Sequence, residues 1–266
     1  MKALQYTIEG SDLQFVTVQV EAGQTVVGEP GAMMYIDDGV TMNTVLGDGA
    51  NEGFVTRLAG AFKRIFTGES IFSTVFTNPG PATRRVAFAA SSPGRIMAVD
   101  LAAQGGAIIC QKGAFLAGTQ GVRVGVAFKK RLRVGFFGGE GFIMQKLTGD
   151  GIAFIHATGA LTEMHLAPGE ALKVDTGCLA ALQTTASYDI RYVGKLKNTF
   201  FGGEGLFFAY LQGPGTVWLQ SLPIRRLSAS LLAGSLGQNR SPYGKLAYLG
   251  AVIVFILIAI FGPEGQ

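Results

Sequence analysis

Histidine, cysteine and tryptophan are nearly missing from this 266-residue chain, which holds two, two and one of them. His156 and His165 are too few for chemistry built on several imidazoles, and with Cys110 and Cys178 they form no metal-ligand spacing. Two cysteines exclude a disulfide framework and are expected to be buried small side chains at related positions. Charged residues are only 15% of the chain, against roughly 25% in an average soluble domain. The N-terminus, Met1 to Glu9, lacks the apolar core of a signal peptide and the Arg/Ser-rich pattern of a transit peptide. Catalytic signatures are missing as well. Gly47–Gly53 does not fit Gly-x-Gly-x-x-Gly, and Gly194-Lys195 and Gly244-Lys245 lack the Ser or Thr of a phosphate loop. No Gly-x-Ser-x-Gly elbow occurs. The expectation is a protein that is not an enzyme and needs no cofactor.

What is abundant is glycine, with 39 residues, and apolar side chains, at 48%. Glycine at about twice its usual share points to many tight turns between short strands. These turns recur. Phe136–Gly141 reads Phe-Phe-Gly-Gly-Glu-Gly, Phe200–Gly205 repeats it, and Ile65–Ser70 is a weaker copy. Aligned on Phe66, Phe137 and Phe201, the copies share Phe76, Leu147 and Leu211, then the turn glycines Gly80, Gly151 and Gly215. Phe88, Phe154 and Trp218 follow. Upstream, Gly31-Ala32-Met33 matches Gly113-Ala114-Phe115 and Gly177-Cys178-Leu179. The first copy is longer, which places an insertion near 37–60. Strands are predicted at Gln14–Val20, Val86–Ala90, Gly121–Phe128, Gly151–His156, Tyr188–Val193 and Thr216–Gln220. Each copy is too small for a core of its own, so neighbours must cover one another's faces. The fold predicted is all-β: repeats at 1–100, 101–165 and 166–227, a linker at 228–245 and an apolar helix at 246–262.

The repeated Phe-Gly-Gly-Glu-Gly and the Ala-Gly-Gln and Pro-Gly-Glu turns near Ala22 and Ala167 resemble the altered-inheritance-of-mitochondria family. That family belongs to the superfamily of the tryptophan RNA-binding attenuation protein. The resemblance covers roughly residues 1–227. It implies three β-sandwich-like units in a pseudo-threefold arrangement and a homo-trimer, and it supplies no catalytic residues.

Leu246–Gly262 carries no charge and no polar face, and as a helix it would extend about 26 Å. Arg225, Arg226, Arg240 and Lys245 flank only its upstream side. A tail anchor in the inner membrane, with the bulk of the chain cytoplasmic, is the expectation. Two sets of side chains are candidate sites. Glu69, Glu140 and Glu204 occupy the repeated turns and could converge on a cation, although Gly-Gly-Glu-Gly also reads as a plain turn. Lys63, Arg64, Lys129, Lys130, Arg131, Arg133, Lys195 and Lys197 form a repeated basic edge suited to an anionic membrane surface. A solvated face is the simpler reading of these charges. Nucleic acid fits them less well, because no aromatics alternate with the charges for base stacking. The function expected is a membrane-anchored oligomeric scaffold. The alternative is a small-ligand or RNA-binding module, by analogy of fold.

Overall fold

Apolar residues that recur at every second position can be buried on one side of a sheet, and runs with no polar interruption can be buried on both. Both patterns occur here. The computed structural model describes residues 4–46, 72–130, 142–192 and 207–223. Its strands are β1 (Gln5–Glu9), β2 (Phe15–Val20), β3 (Thr25–Gly28), β4 (Met33–Ile36), β5 (Thr41–Leu46), β6 (Phe72–Thr77) and β7 (Arg84–Ala89). Next come β8 (Gly94–Asp100), β9 (Ala107–Gln111), β10 (Phe115–Thr119), β11 (Arg123–Lys130), β12 (Phe142–Thr148) and β13 (Ile152–Thr158). The last are β14 (Leu161–Leu166), β15 (Ala171–Asp175), β16 (Leu179–Gln183), β17 (Ser187–Tyr192), β18 (Phe207–Gln212) and β19 (Gly215–Gln220). The fold is all-β, and the helical element among the described residues is a short 3-10 turn at Thr176–Cys178.

Four antiparallel sheets result, with strand orders β1-β2-β7-β4, β5-β6-β3-β10-β13-β8, β11-β12-β9-β16-β19-β14 and β15-β18-β17. One pairing scheme runs through β2–β7, β8–β13 and β14–β19. In each set the fourth strand pairs with the fifth and the fifth with the second, while the sixth pairs with the first and third. Consecutive sets are joined by β3–β10 and by β9–β16. A register shift also recurs, between Met33 and Tyr35, Phe115 and Ala117, and Leu179 and Ala181.

The cores lie between successive sheets. Val16, Val18 and Phe88 of the first sheet pack with Phe76, Leu116 and Phe154 of the second. Phe115 and Ile155, also of the second, pack with Ile108, Leu147 and Trp218 of the third. Met144, Leu182 and Val217 of the third pack with Leu211, Ala209 and Ile190 of the fourth. Ala153 and Ile155 thus enter one core while Phe154 enters another, which is why residues 152–155 of β13 read as an unbroken apolar run. Neither Cys110 nor Cys178 forms a disulfide.

Two expectations need correction. The tail-anchored inner-membrane localisation does not stand: among the described residues no helix is long and apolar enough to cross a membrane. The expected C-terminal helix is likewise no part of the described fold, and residues 246–262 lie outside the described residues. The physical reason is that the two middle sheets bury both faces. The apolar excess that suggested a lipid-facing surface is consumed in three cores. Of the insertion expected at 37–60, Asp37–Leu46 holds an ordinary turn and β5, and 47–60 lies outside the described residues. The longer stretch is the interval 47–71 between β5 and β6, against 131–141 and 193–206 in the other sets.

Candidate self-association edges

Strand pairing leaves two edges that differ from their counterparts elsewhere in the chain. β10 and β16, third in their sets, each pair on both sides, with β13 and β3 or with β19 and β9. β4 is also third in its set, pairs with β7, and has no second partner among the described strands. β3 and β9, second in their sets, likewise have two neighbours, whereas β15 pairs with β18 and has no second partner among the described strands.

Side-chain burial follows the same division. The shared register shift makes Met33 the counterpart of Phe115 and Leu179, and Met34 the counterpart of Leu116 and Ala180. Phe115, Leu179, Leu116 and Ala180 are 1%, 0%, 3% and 1% exposed, but Met33 and Met34 are 39% and 55% exposed. On β15, Leu172 is half-buried where Val26 and Ile108 are buried. A methionine left in water at a position designed for burial forgoes roughly 1.5–3 kcal/mol. An apolar sheet edge with unpaired backbone groups is a template for another strand.

Register can be carried from the joined pairs to the open ones. β3 meets β10 with Gly28 opposite Ala117 and Val27 opposite Gly118; β9 meets β16 with Cys110 opposite Ala181 and Ile109 opposite Leu182. The counterparts place Val174 opposite Tyr35 and Lys173 opposite Ile36. Polar groups frame the β4 edge. Thr17 Oγ1 lies 3.0 Å from Glu9 Oε1 and 3.3 Å from the Tyr35 hydroxyl, and Arg85 lies over the Tyr35 ring at 5.9 Å. Arg85 also grips Asp37 through two side-chain hydrogen bonds of 3.1 Å. These bonds, and that from the Arg85 backbone N–H, hold the Asp37 carboxyl below its ordinary pKa.

The side chains marked from the sequence lie elsewhere. Glu69, Glu140, Glu204, Lys63, Arg64, Arg131, Arg133, Lys195 and Lys197 are outside the described residues. Lys129 and Lys130 end β11, where their backbones pair with Ile143 and Phe142. All of these positions fall in, or at the margin of, the connections between the fourth and fifth strands of the sets. His156 is buried and His165 lies exposed 3.6 Å from Glu163. Among the described residues no three His, Cys, Asp or Glu side chains group as metal ligands would. The sequence pattern pairs Met33 with Phe115 and Leu179 but carries no sign that Met33 is the exposed one, because the strand that covers its counterparts comes from a distant segment.

Comparisons with known proteins agree with this fold. An uncharacterized protein of Streptococcus pyogenes serotype M6 is 29% identical over 233 residues, spanning 86% of this chain and 90% of its own length. The crystal structure of Streptococcus pyogenes protein SPYM3_0169 superposes with a TM-score of 0.67 at 24% identity, covering 86% of this chain and 98% of that one. The family model for mitochondrial biogenesis AIM24 matches residues 6–222, and the chain belongs to that family.

Proposed function

We propose that this protein is a non-enzymatic scaffold that self-assembles head to tail, with β15 of one copy pairing against β4 of the next. Three tandem repeats of one six-strand unit build each copy. The observation that carries the reading is the exposure of Met33 and Met34 where Phe115, Leu116, Leu179 and Ala180 are buried. Addition of β15-β18-β17 to β4-β7-β2-β1 would produce the strand order of the two six-stranded sheets, extended by β1. Each copy offers one edge of each kind, so the contact is heterologous and must close into a ring or grow into a filament. The family resemblance implies a homo-trimer, and a closed trimer would leave no such edge open.

A ring of this kind presents every surface feature of the chain in symmetric repetition. Weak contacts made by one copy then gain from avidity, with no new chemistry at any single contact. The connections that carry Lys63, Arg64, Lys129, Lys130, Arg131, Arg133, Lys195 and Lys197 are the basic elements multiplied in this way. Light scattering on the purified full-length protein tests the reading. Three times the 27.9 kDa chain mass is expected at micromolar concentration, and a monomer there would overturn it.

A further inference from the structure

The two junctions inside the chain are built alike in backbone and differently in side chain. At β9–β16 glutamines stitch the contact. Gln220 Nε2 donates to Gln111 Oε1 and to the Gly177 carbonyl, both at 2.8 Å, and Gln220 Oε1 accepts from Thr158 N–H at 2.9 Å. Gln183 Oε1 accepts from Thr216 N–H at 2.7 Å, while Gln183 Nε2 donates to Gln104 Oε1 at 2.7 Å. At β3–β10 the positions of Gln220, Gln183 and Gln111 are held by His156, Thr119 and Glu29. There the stitching is incomplete: His156 Nε2 and Thr119 Oγ1 are buried without a hydrogen-bond partner.

We propose that the β3–β10 junction is an acid-sensitive seam, loosened when His156 takes up a proton, while the glutamine-stitched β9–β16 junction stays closed. His156 is only 6% exposed, and its backbone N–H bonds the Ala114 carbonyl at 2.7 Å, tying it to the start of β10. A Cβ built on Gly94 would lie 2.6 Å from Nε2, so that nitrogen packs against the bare Gly94 backbone. Protonation would place a second N–H donor and a full charge in this site, which is costly without a partner.

The elements around the ring carry few charges that could compensate. Arg95 on β8 is held by Asp12 at 3.3 Å, Lys112 precedes β10, and Glu29 follows β3. Burial lowers the His156 pKa from its ordinary 6.5, against a hydrogen bond to the Ser92 backbone that raises it. A folded-state value below the unfolded one means the unfolded or opened chain binds the extra proton. Stability is therefore full above about 6.5 and falls as pH drops from there toward the folded value. Glu29 is shifted the other way, upward by burial, with Lys112 opposing, so its protonation works against the loss from 4.5 upward.

Hydrogen exchange read by mass spectrometry on the full-length protein at pH 7.5 and 5.8, corrected for intrinsic rates, tests the seam. Protection in β3, β10 and β13 should fall by about threefold or more on acidification, with β9, β16 and β19 changing by less than that. His156→Gln, which installs the second junction's side chain in the first, should flatten the response. Gln220→His should transfer acid sensitivity to β9–β16, and it keeps the test informative if the first variant fails to fold. Equal responses at both junctions in the wild-type protein, or an unchanged response in His156→Gln, would overturn the proposal.

Discussion

Single side chains close the turns that let the strands reach register, and Asn78 is the clearest case. It follows β6 in the Asn-Pro-Gly turn and is 0% exposed. Its Nδ2 donates to the Val20 and Ala82 carbonyls at 2.8 Å, and its Oδ1 accepts from Gly80 N–H at 3.1 Å. Replacement by alanine strands the buried Val20 carbonyl and removes the bonds to the partly buried Ala82 carbonyl and Gly80 amide. Asn78→Ala should therefore cost about 2–4 kcal/mol, read as a lower urea midpoint at unchanged slope. A loss below about 0.5 kcal/mol would show that water replaces the amide at no cost. Gly28 is another fixed point: a Cβ there would meet the Phe88 ring at 2.6 Å and the Phe76 ring at 3.2 Å. Glycine is thus what lets β3 approach the aromatic pair, whose rings meet edge to face at 5.3 Å.

At the scale of elements, what each strand edge touches decides the behaviour of the β4 margin. Met34→Asp puts a charge on the β4 edge, where the counterparts Leu116 and Ala180 are buried. It should weaken assembly by on the order of tenfold to a hundredfold and leave the monomer's far-ultraviolet dichroism and melting unchanged. An assembly of undiminished mass would mean that this edge is not used. Much of this level was legible in the sequence. Gln14–Val20, Gly151–His156 and Thr216–Gln220 match β2, β13 and β19 to within two residues, because glycine turns bracket apolar runs. The match of Phe76 with Leu147 and Leu211 holds in the fold, since each lies in the fifth strand of its set, opposite Val26, Ile108 and Leu172. Other readings failed for physical reasons. Cys110 lies on β9 opposite Ala181, and Cys178 precedes β16 in the 3-10 turn, so the two are not counterparts. Pattern alone could not say which sets exchange strands, because β3–β10 and β9–β16 depend on contacts between distant segments. The candidate carboxylates and basic residues drew attention through their repetition, whereas the free edges are marked by a departure from it.

At the scale of the whole molecule, a chain of sheets that share strands has no natural end. The first and last sheets hold four and three strands where the middle sheets hold six, and β4 and β15 are the margins at which the series breaks off. In the proposed assembly a neighbouring copy would cover each margin, and closure after three copies would stop the growth. The most direct measurement is disulfide trapping of the Tyr35→Cys, Val174→Cys double variant. Cβ atoms directly opposite across an antiparallel pair lie about 4.5–5.5 Å apart, near enough for mild oxidation to link them. Non-reducing gels should then show covalent dimers and trimers that neither single variant forms. A double variant that stays monomeric, or that closes only within its own chain, would contradict the account.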